Sequence, residues 1–267
     1  MGIGADIISI IMEDLVSIVT PSFNCSEFIG MAIESVLAQS YHNWEMLITD
    51  DCSTDGTQEI LQEYARKDSR IKVYTLENNS GAGVARNNSI KNSCGKYIAF
   101  LDGDDMWFSN KLERQVSFMQ ENKCAMSYTS YLTCDESGEE NGIVVCPKKH
   151  SLRDSTRDNK PGFSTVMYDV EKVGKVYMPT IRKRQDWGLN MSVLKVCRVA
   201  YGIKAPLVYY RKGQDSLSKD KKSLVKYNIA VYQEVLGWSN VKAFFWFFLV
   251  YMPCWSLKRF MVYLYNR

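Results

Sequence analysis

Three carboxylates crowd the segment Asp102-Gly103-Asp104-Asp105, directly after the apolar run KYIAFL. With no counter-charge they would repel one another, so something positive must compensate. A divalent cation bridging a diphosphate does this well. Hard carboxylate oxygens suit magnesium or manganese, and the ion offsets charge developing on a departing nucleoside diphosphate. The same residues also read as a polar turn capping a helix near Ser109. A second acidic pair, Asp50-Asp51, closes another apolar run. One of the two can accept hydrogen bonds from a base imide or ribose hydroxyl, while the other caps the turn. Arg86 lies on a helix whose start faces the same rim, with Asp51, a phosphate or solvent as alternative partners. Further along, Asp186 opens a helix, either as a proton acceptor or as the negative charge that a helix start favours.

The elements that must position these groups alternate through the first half. Residues 15–20 (LVSIVT) form a short buried strand, closed by Pro21-Ser22-Phe23-Asn24. An amphipathic helix is expected over 27–39, a strand over 45–49 and a helix after Ser53-Thr54-Asp55-Gly56. A strand over 71–76, a helix over 82–92 and a strand over 96–101 complete the series. Repeated β-α-β units imply a doubly wound, mainly parallel sheet, in which ligands bind at the carboxyl ends of the strands. Thr20, Asp50, Asp51 and Asp102 all fall at such ends.

The second half changes character. Strands are expected over 125–133 and 143–146 around an acidic turn, then a polar loop over 151–161. A helix over 185–196, a strand over 205–210 and a helix over 224–236 follow. The tail at 241–265 is rich in Phe, Trp, Tyr and Leu. Pro253 interrupts its apolar run AFFWFFLVY before the roughly 20 residues that a bilayer span needs, and Lys258-Arg259 follow soon after. An in-plane helix on a membrane surface, or a helix packed on the domain or on a second copy, both fit. A homo-oligomer therefore stays open.

Composition narrows the field. A chain of 267 residues suits one catalytic domain with an appendage, and a net charge of +3 does not argue for nucleic acid. None of the eight cysteines forms a C-x-x-C pair, and only His42 and His150 are available to help them. Zinc is not expected, and reduced cysteines packed as small apolar groups in a cytosolic protein are. Residues 1–14 read as an N-terminal extension without a cleavable signal, and Met12 is an alternative start.

The motifs VSIVTPSFN, SVLAQSYHNWEMLITDDCSTDGT, NSGAGVARN and KYIAFLDGDDMW, in that order, resemble the nucleotide-binding half of family 2 glycosyltransferases with the GT-A fold. The likeness covers residues 15–107 and continues more weakly to about residue 218. It implies a Rossmann-like α/β domain over 15–220, with a nucleotide-binding half at 15–107 and an acceptor half at 108–220, followed by a helical segment at 221–267. It implies an inverting transfer of one sugar from a nucleotide-diphosphate sugar, with UDP the expected nucleotide, to a glycan or lipid-linked acceptor in bacterial surface-polysaccharide assembly. The place would be cytoplasmic, at the inner face of the membrane.

Residue by residue, Thr20 and Pro21 match the loop along the nucleotide. Asp51 matches the aspartate that contacts the base, and Arg86 the arginine of the A-R-N motif. Asp102 and Asp104 match the D-x-D pair that holds manganese or magnesium, with Asp104 the leading metal ligand. Phe23 stands where many relatives have tyrosine. Asp186, in Arg184-Gln185-Asp186-Trp187, matches the catalytic base, which takes the acceptor proton as the hydroxyl attacks. Arg182, Lys183 and Arg184 either steer a phosphate-bearing acceptor or are solvated. Tyr210-Arg211 with Ser216-Leu217-Ser218 resembles a loop that folds over the diphosphate. Gly213 stands there where relatives carry His or Arg, so Lys212 or Arg211 would substitute. The Q-x-x-R-W signature of processive synthases is missing. A nucleotidyltransferase would need a Gly-rich basic loop after the first strand, which Pro21-Ser22-Phe23-Asn24 is not. A catalytically dead scaffold would have no need for Asp102, Asp104 and Asp186 together.

Overall fold

The computed structural model describes residues 14–212 and 221–257. The N-terminal extension before residue 14, Gly213, the Ser216-Leu217-Ser218 motif and Lys258-Arg259 lie outside the described residues. The first half folds as β1 (Val16–Ser22), α1 (Ile29–Leu37), β2 (Trp44–Asp50), α2 (Thr57–Lys67), β3 (Ile71–Thr75), α3 (Ala82–Asn92) and β4 (Tyr97–Phe100). Its four strands are parallel in the order β3-β2-β1-β4. The cause is visible in the sequence: β1, β2 and β4 are buried almost throughout, so their apolar runs need cover on both faces. Pro21 lacks an amide hydrogen, yet it sits in β1 without loss, because β4 pairs with β1 only as far as Val19.

The second half comprises β5 (Met106–Trp107), α4 (Lys111–Glu121), β6 (Met126–Cys134), β7 (Glu140–Val144), β8 (Lys149–Ser151), α5 (Leu152–Ser155), β9 (Met167–Asp169), α6 (Val170–Val173), α7 (Gln185–Cys197) and β10 (Val199–Arg211). The sheet continues β4-β9-β6-β10-β5, with β7 on β6 and β8 on β10. Here it turns mixed: β9 is antiparallel to both β4 and β6. Three residues with no alternation carry no strand signal, so β9 was not foreseen; its neighbours impose it. The expected loop over 151–161 contains α5, opened by a reciprocal capping box between Ser151 and Asp154. β10 is longer than expected, since its first residues pair with β8.

Helix α8 (Lys221–Leu236) and helix α9 (Asn240–Trp246) form a separate apolar cluster with α7. Trp187 on α7 is its hub, wedged between Tyr232 and Tyr251 and donating from Nε1 to the Ser155 carbonyl at 2.8 Å. The helix does not stop at Pro253. It continues from α9 through a π-helical turn at Phe247–Tyr251 and stays helical to residue 257. A proline deprives its helix of one hydrogen bond and clashes with the carbonyl four residues earlier, and the wider π turn just upstream relieves that clash. Among the described residues no helix is long and apolar enough to cross a membrane.

His150 gives the fold a pH dependence. It is 1% exposed, edge-on to Tyr128, and neither ring nitrogen has a hydrogen-bond partner. Burial lowers its pKa from 6.5 to about 4. Between those values the unfolded chain binds a proton that the folded one refuses. Stability is therefore lost as pH falls through 6.5 and levels off near 4, by up to about 3 kcal/mol. Urea unfolding of the protein and of His150→Phe across this range should show the acid-side slope shrinking in the variant. Identical slopes would refute the assignment.

Candidate active site

Strand β1 connects onward to β2 on one side, while β4 lies on its other side, so the winding reverses between them and a crevice opens beyond their ends. Asp102 leaves β4 at this point. Its amide donates to Ser164 Oγ at 3.1 Å, and its carboxylate accepts from Arg86 at 2.5 Å. Arg86 reaches it from the second turn of α3, over the Phe163 ring at 5.0 Å, and its Nε is buried without a partner. The sequence offers Asp51, a phosphate or solvent to Arg86; the fold pairs it instead with Asp102, a partner not among them.

Asp105 is buried. Its carboxylate accepts from Ser164 Oγ at 2.5 Å and from the Arg211 amide at 3.0 Å. Burial and the charges of Asp104 and Asp102 hold its pKa well above the usual carboxylate range. Asp104 is exposed as a residue, while its carboxyl is crowded by surrounding protein atoms. The loss of surrounding water, and after it the neighbouring Asp102, pushes its carboxyl up to about 6. The guanidinium of Arg211 is spent on the carbonyls of Asp104 at 3.1 Å, Asp135 at 3.1 Å and Glu136 at 2.5 Å, and lies over Phe28. It staples the acidic turn in place through Nε and Nη1, while Nη2 meets only Met31 Sδ at 3.9 Å.

The other donor-side residues are placed differently. Thr20 is fully buried within β1, its hydroxyl without a partner. Pro21 is half-buried and abuts the acidic turn: a β-carbon on Gly103 would meet the Pro21 carbonyl oxygen at 3.4 Å and Cys25 Sγ at 3.3 Å. Asp51 accepts from the Ser80 and Gly81 amides, both at 2.7 Å, and so caps the approach to α3, the helix of Arg86. Asp50 is the structural member of its pair, accepting from Ser22, Ser53 and Gln58.

On the acceptor side, Arg184 takes a left-handed backbone (φ 69°) and turns the chain into α7. Asp186 stands in the first turn of that helix and accepts from Asn159 Nδ2 at 3.1 Å. The two walls touch at Gly83, where a β-carbon would fall 2.1 Å from Gln185 Nε2. Between them lies a cleft of about 360 Å³ whose lining includes Asp102, Arg86, Phe163, Asn159 and Asp186. Thus Asp102, Arg86 and Asp186 come together in one hollow, while Thr20, Pro21, Asp51 and Asp104 lie outside its lining. Sequence reasoning missed Ser164, which bonds both Asp102 and Asp105, and Asn159, which holds Asp186. No local pattern marks either one, since their partners lie 62, 59 and 27 residues away.

The model of glycosyl transferase family 2 matches residues 17–170, more than half of the chain. A Bacillus subtilis protein named for teichuronic acid biosynthesis, TuaG, is 43% identical over 240 residues, covering 90% of this chain and 95% of that protein. The Escherichia coli UDP-Glc:alpha-D-GlcNAc-diphosphoundecaprenol beta-1,3-glucosyltransferase WfgD is 38% identical over 216 residues, covering 79% of this chain and 82% of its own. Among solved structures, Staphylococcus aureus TarS 1-349 in complex with UDP-GlcNAc superposes with a TM-score of 0.66 at 19% identity, covering 86% of this chain and 69% of that one. A Pyrobaculum calidifontis mannosyltransferase with GDP-Man and Mn2+ superposes with a TM-score of 0.56 at 14% identity, covering 94% of this chain and 80% of that one. The parallel sheet, the acidic turn beyond β4 and these likenesses agree: the chain belongs to glycosyl transferase family 2 and is a glycosyltransferase of the GT-A fold.

Proposed function

We infer that the protein transfers a single sugar, with inversion, from a UDP-sugar to a hydroxyl of a glycan acceptor, free or carried on a lipid, in surface-polysaccharide assembly. The observation that carries this reading is the shared cleft, which brings the Asp102–Arg86 pair and Asp186 to one hollow. Asp186, oriented by Asn159, takes the acceptor proton as that oxygen bonds to the anomeric carbon. The bond from that carbon to the diphosphate oxygen breaks, and UDP leaves past Arg86. Asp51 is assigned to the base, on lone pairs left over from its two amide bonds, and Thr20 with Pro21 backs the nucleotide side from beneath the acidic turn.

A divalent cation fits the donor set. Asp102 and Asp104 offer hard oxygens at one strand end, and a cation there would relieve the repulsion between them. Among the described residues no three acidic, Cys or His side chains converge, so the remaining ligands would come from diphosphate and water. When bound, the ion would neutralise charge on the leaving diphosphate. Calorimetric titration with UDP and manganese tests the reading; no UDP binding with or without manganese would end it.

The C-terminal helix supports a place at a lipid surface. Its inner stripe (Ala243, Phe247, Tyr251) is buried on the domain, and Trp246 Nε1 donates to the Thr156 carbonyl at 3.0 Å. Its outer stripe of Val241, Phe244, Phe245, Phe248 and Leu249 remains 43–70% exposed. Phe245→Glu with Leu249→Glu should abolish cosedimentation with anionic phospholipid vesicles while leaving UDP affinity unchanged. Undiminished cosedimentation would reject the lipid surface.

A further inference from the structure

The cleft carries more positive charge than the donor side needs. Its lining has five cationic side chains, Arg86, Lys160, Arg182, Lys183 and Arg184, against two carboxylates, Asp102 and Asp186. Arg86 is engaged with Asp102. The other four gather in two short segments, 160 and 182–184, that flank Asn159 and Asp186. Among the described residues no carboxylate lies within ion-pair distance of Arg182 or Arg184. The Nε of Arg184 is buried with no hydrogen-bond partner. A buried guanidinium N–H left unpaired costs free energy unless a ligand accepts its hydrogen bond, and the planar guanidinium fork is matched to phosphate oxygens. Carboxylates do lie near this wall, Asp154 towards Lys160 and Asp158 and Asp186 on the side of Arg184, but among the described residues none makes an ion pair with Lys160, Arg182 or Arg184.

We propose that Lys160, Arg182 and Arg184 form a phosphate subsite on the acceptor side of the cleft, which binds the phosphate or diphosphate that bears the acceptor sugar. The proposal rests on the transferase reading of the cleft. It adds the acceptor's chemistry: a sugar phosphoester, whose sugar hydroxyl meets Asp186 while its phosphate is held on the basic wall. Arg86 stays with Asp102 on the donor side, so the two anions would be held by different cations.

The test fills the donor side with saturating UDP and titrates the full-length protein with geranyl diphosphate, with inorganic pyrophosphate and, as a neutral control, with geraniol. Geranyl diphosphate should bind, geraniol should not, and Arg182→Gln with Arg184→Gln should weaken diphosphate binding at least about tenfold. Lys160→Gln, an exposed change that cannot unfold the chain, should weaken it about threefold. Equal affinity for pyrophosphate would show that the phosphate alone is recognised; tighter geranyl diphosphate would show that an adjoining lipid contributes. Both results support the subsite. Unchanged diphosphate affinity in these variants would overturn it. So would a drop in UDP affinity of the same size, because the wall would then serve the donor. Failure of UDP to bind the unaltered protein would instead count against the transferase reading.

Discussion

Asp186→Asn should lower the turnover of sugar transfer by about 10²–10⁴-fold, the range a positioned general base supplies, and leave UDP affinity unchanged. The substitution is nearly isosteric. Its amide oxygen can still accept from Asn159, and the Trp187 anchor one residue on is untouched. What it removes is the capacity to take a proton at that atom. The competing role, a negative charge that merely favours the start of α7, is worth about 0.3–1 kcal/mol and would appear in stability, not in turnover. The split between the two readouts decides. A variant that melts a few degrees lower and turns over at the full rate would assign Asp186 to the helix alone. Asn159→Ala is the companion measurement: it leaves the carboxylate but frees its orientation, so a smaller loss of turnover is expected.

The nucleotide half was legible because its signals are local. β1, β2 and β4 are continuous apolar runs followed by the turn signals Ser22-Phe23-Asn24, Asp50-Asp51 and Asp102, and each appears within a residue or two of its expected place. The acceptor half was less legible, because its structure is set by partners far along the chain. β9 exists only because β4 and β6 leave a gap between them. Arg211 reads in sequence as a loop arginine free for phosphate, and nothing local reveals that the carbonyls of Asp104, Asp135 and Glu136 hold its Nε and Nη1. The site divides the same way. Asp102 was singled out by its place at a strand end and Asp186 by the family resemblance of its segment, whereas Ser164 and Asn159 act through contacts that no spacing encodes. Pro253 shows the limit of a strong local rule: its cost to the helix stands, and a π turn upstream accommodates it.

The second large effect concerns the acidic turn. Asp104→Asn should weaken manganese-supported UDP binding by about 10–100-fold, and removal of divalent ions with EDTA should weaken binding to the unaltered protein by a similar factor. If the carboxylate and the ion act as one unit, their losses will not add: EDTA should cost the variant little more. Asp102→Asn should behave differently. It also leaves Arg86, whose Nε already lacks a partner, without its counter-charge in a half-buried position. Breaking such a pair by removing one member strands the other, so this variant should lose stability as well as UDP affinity, by about 1–3 kcal/mol. Asp102→Asn with Arg86→Gln should recover part of the stability and none of the transfer. That pattern would separate the structural work of the pair from its work on the diphosphate. Full transfer activity in Asp104→Asn, unaffected by EDTA, would remove the cation from this site.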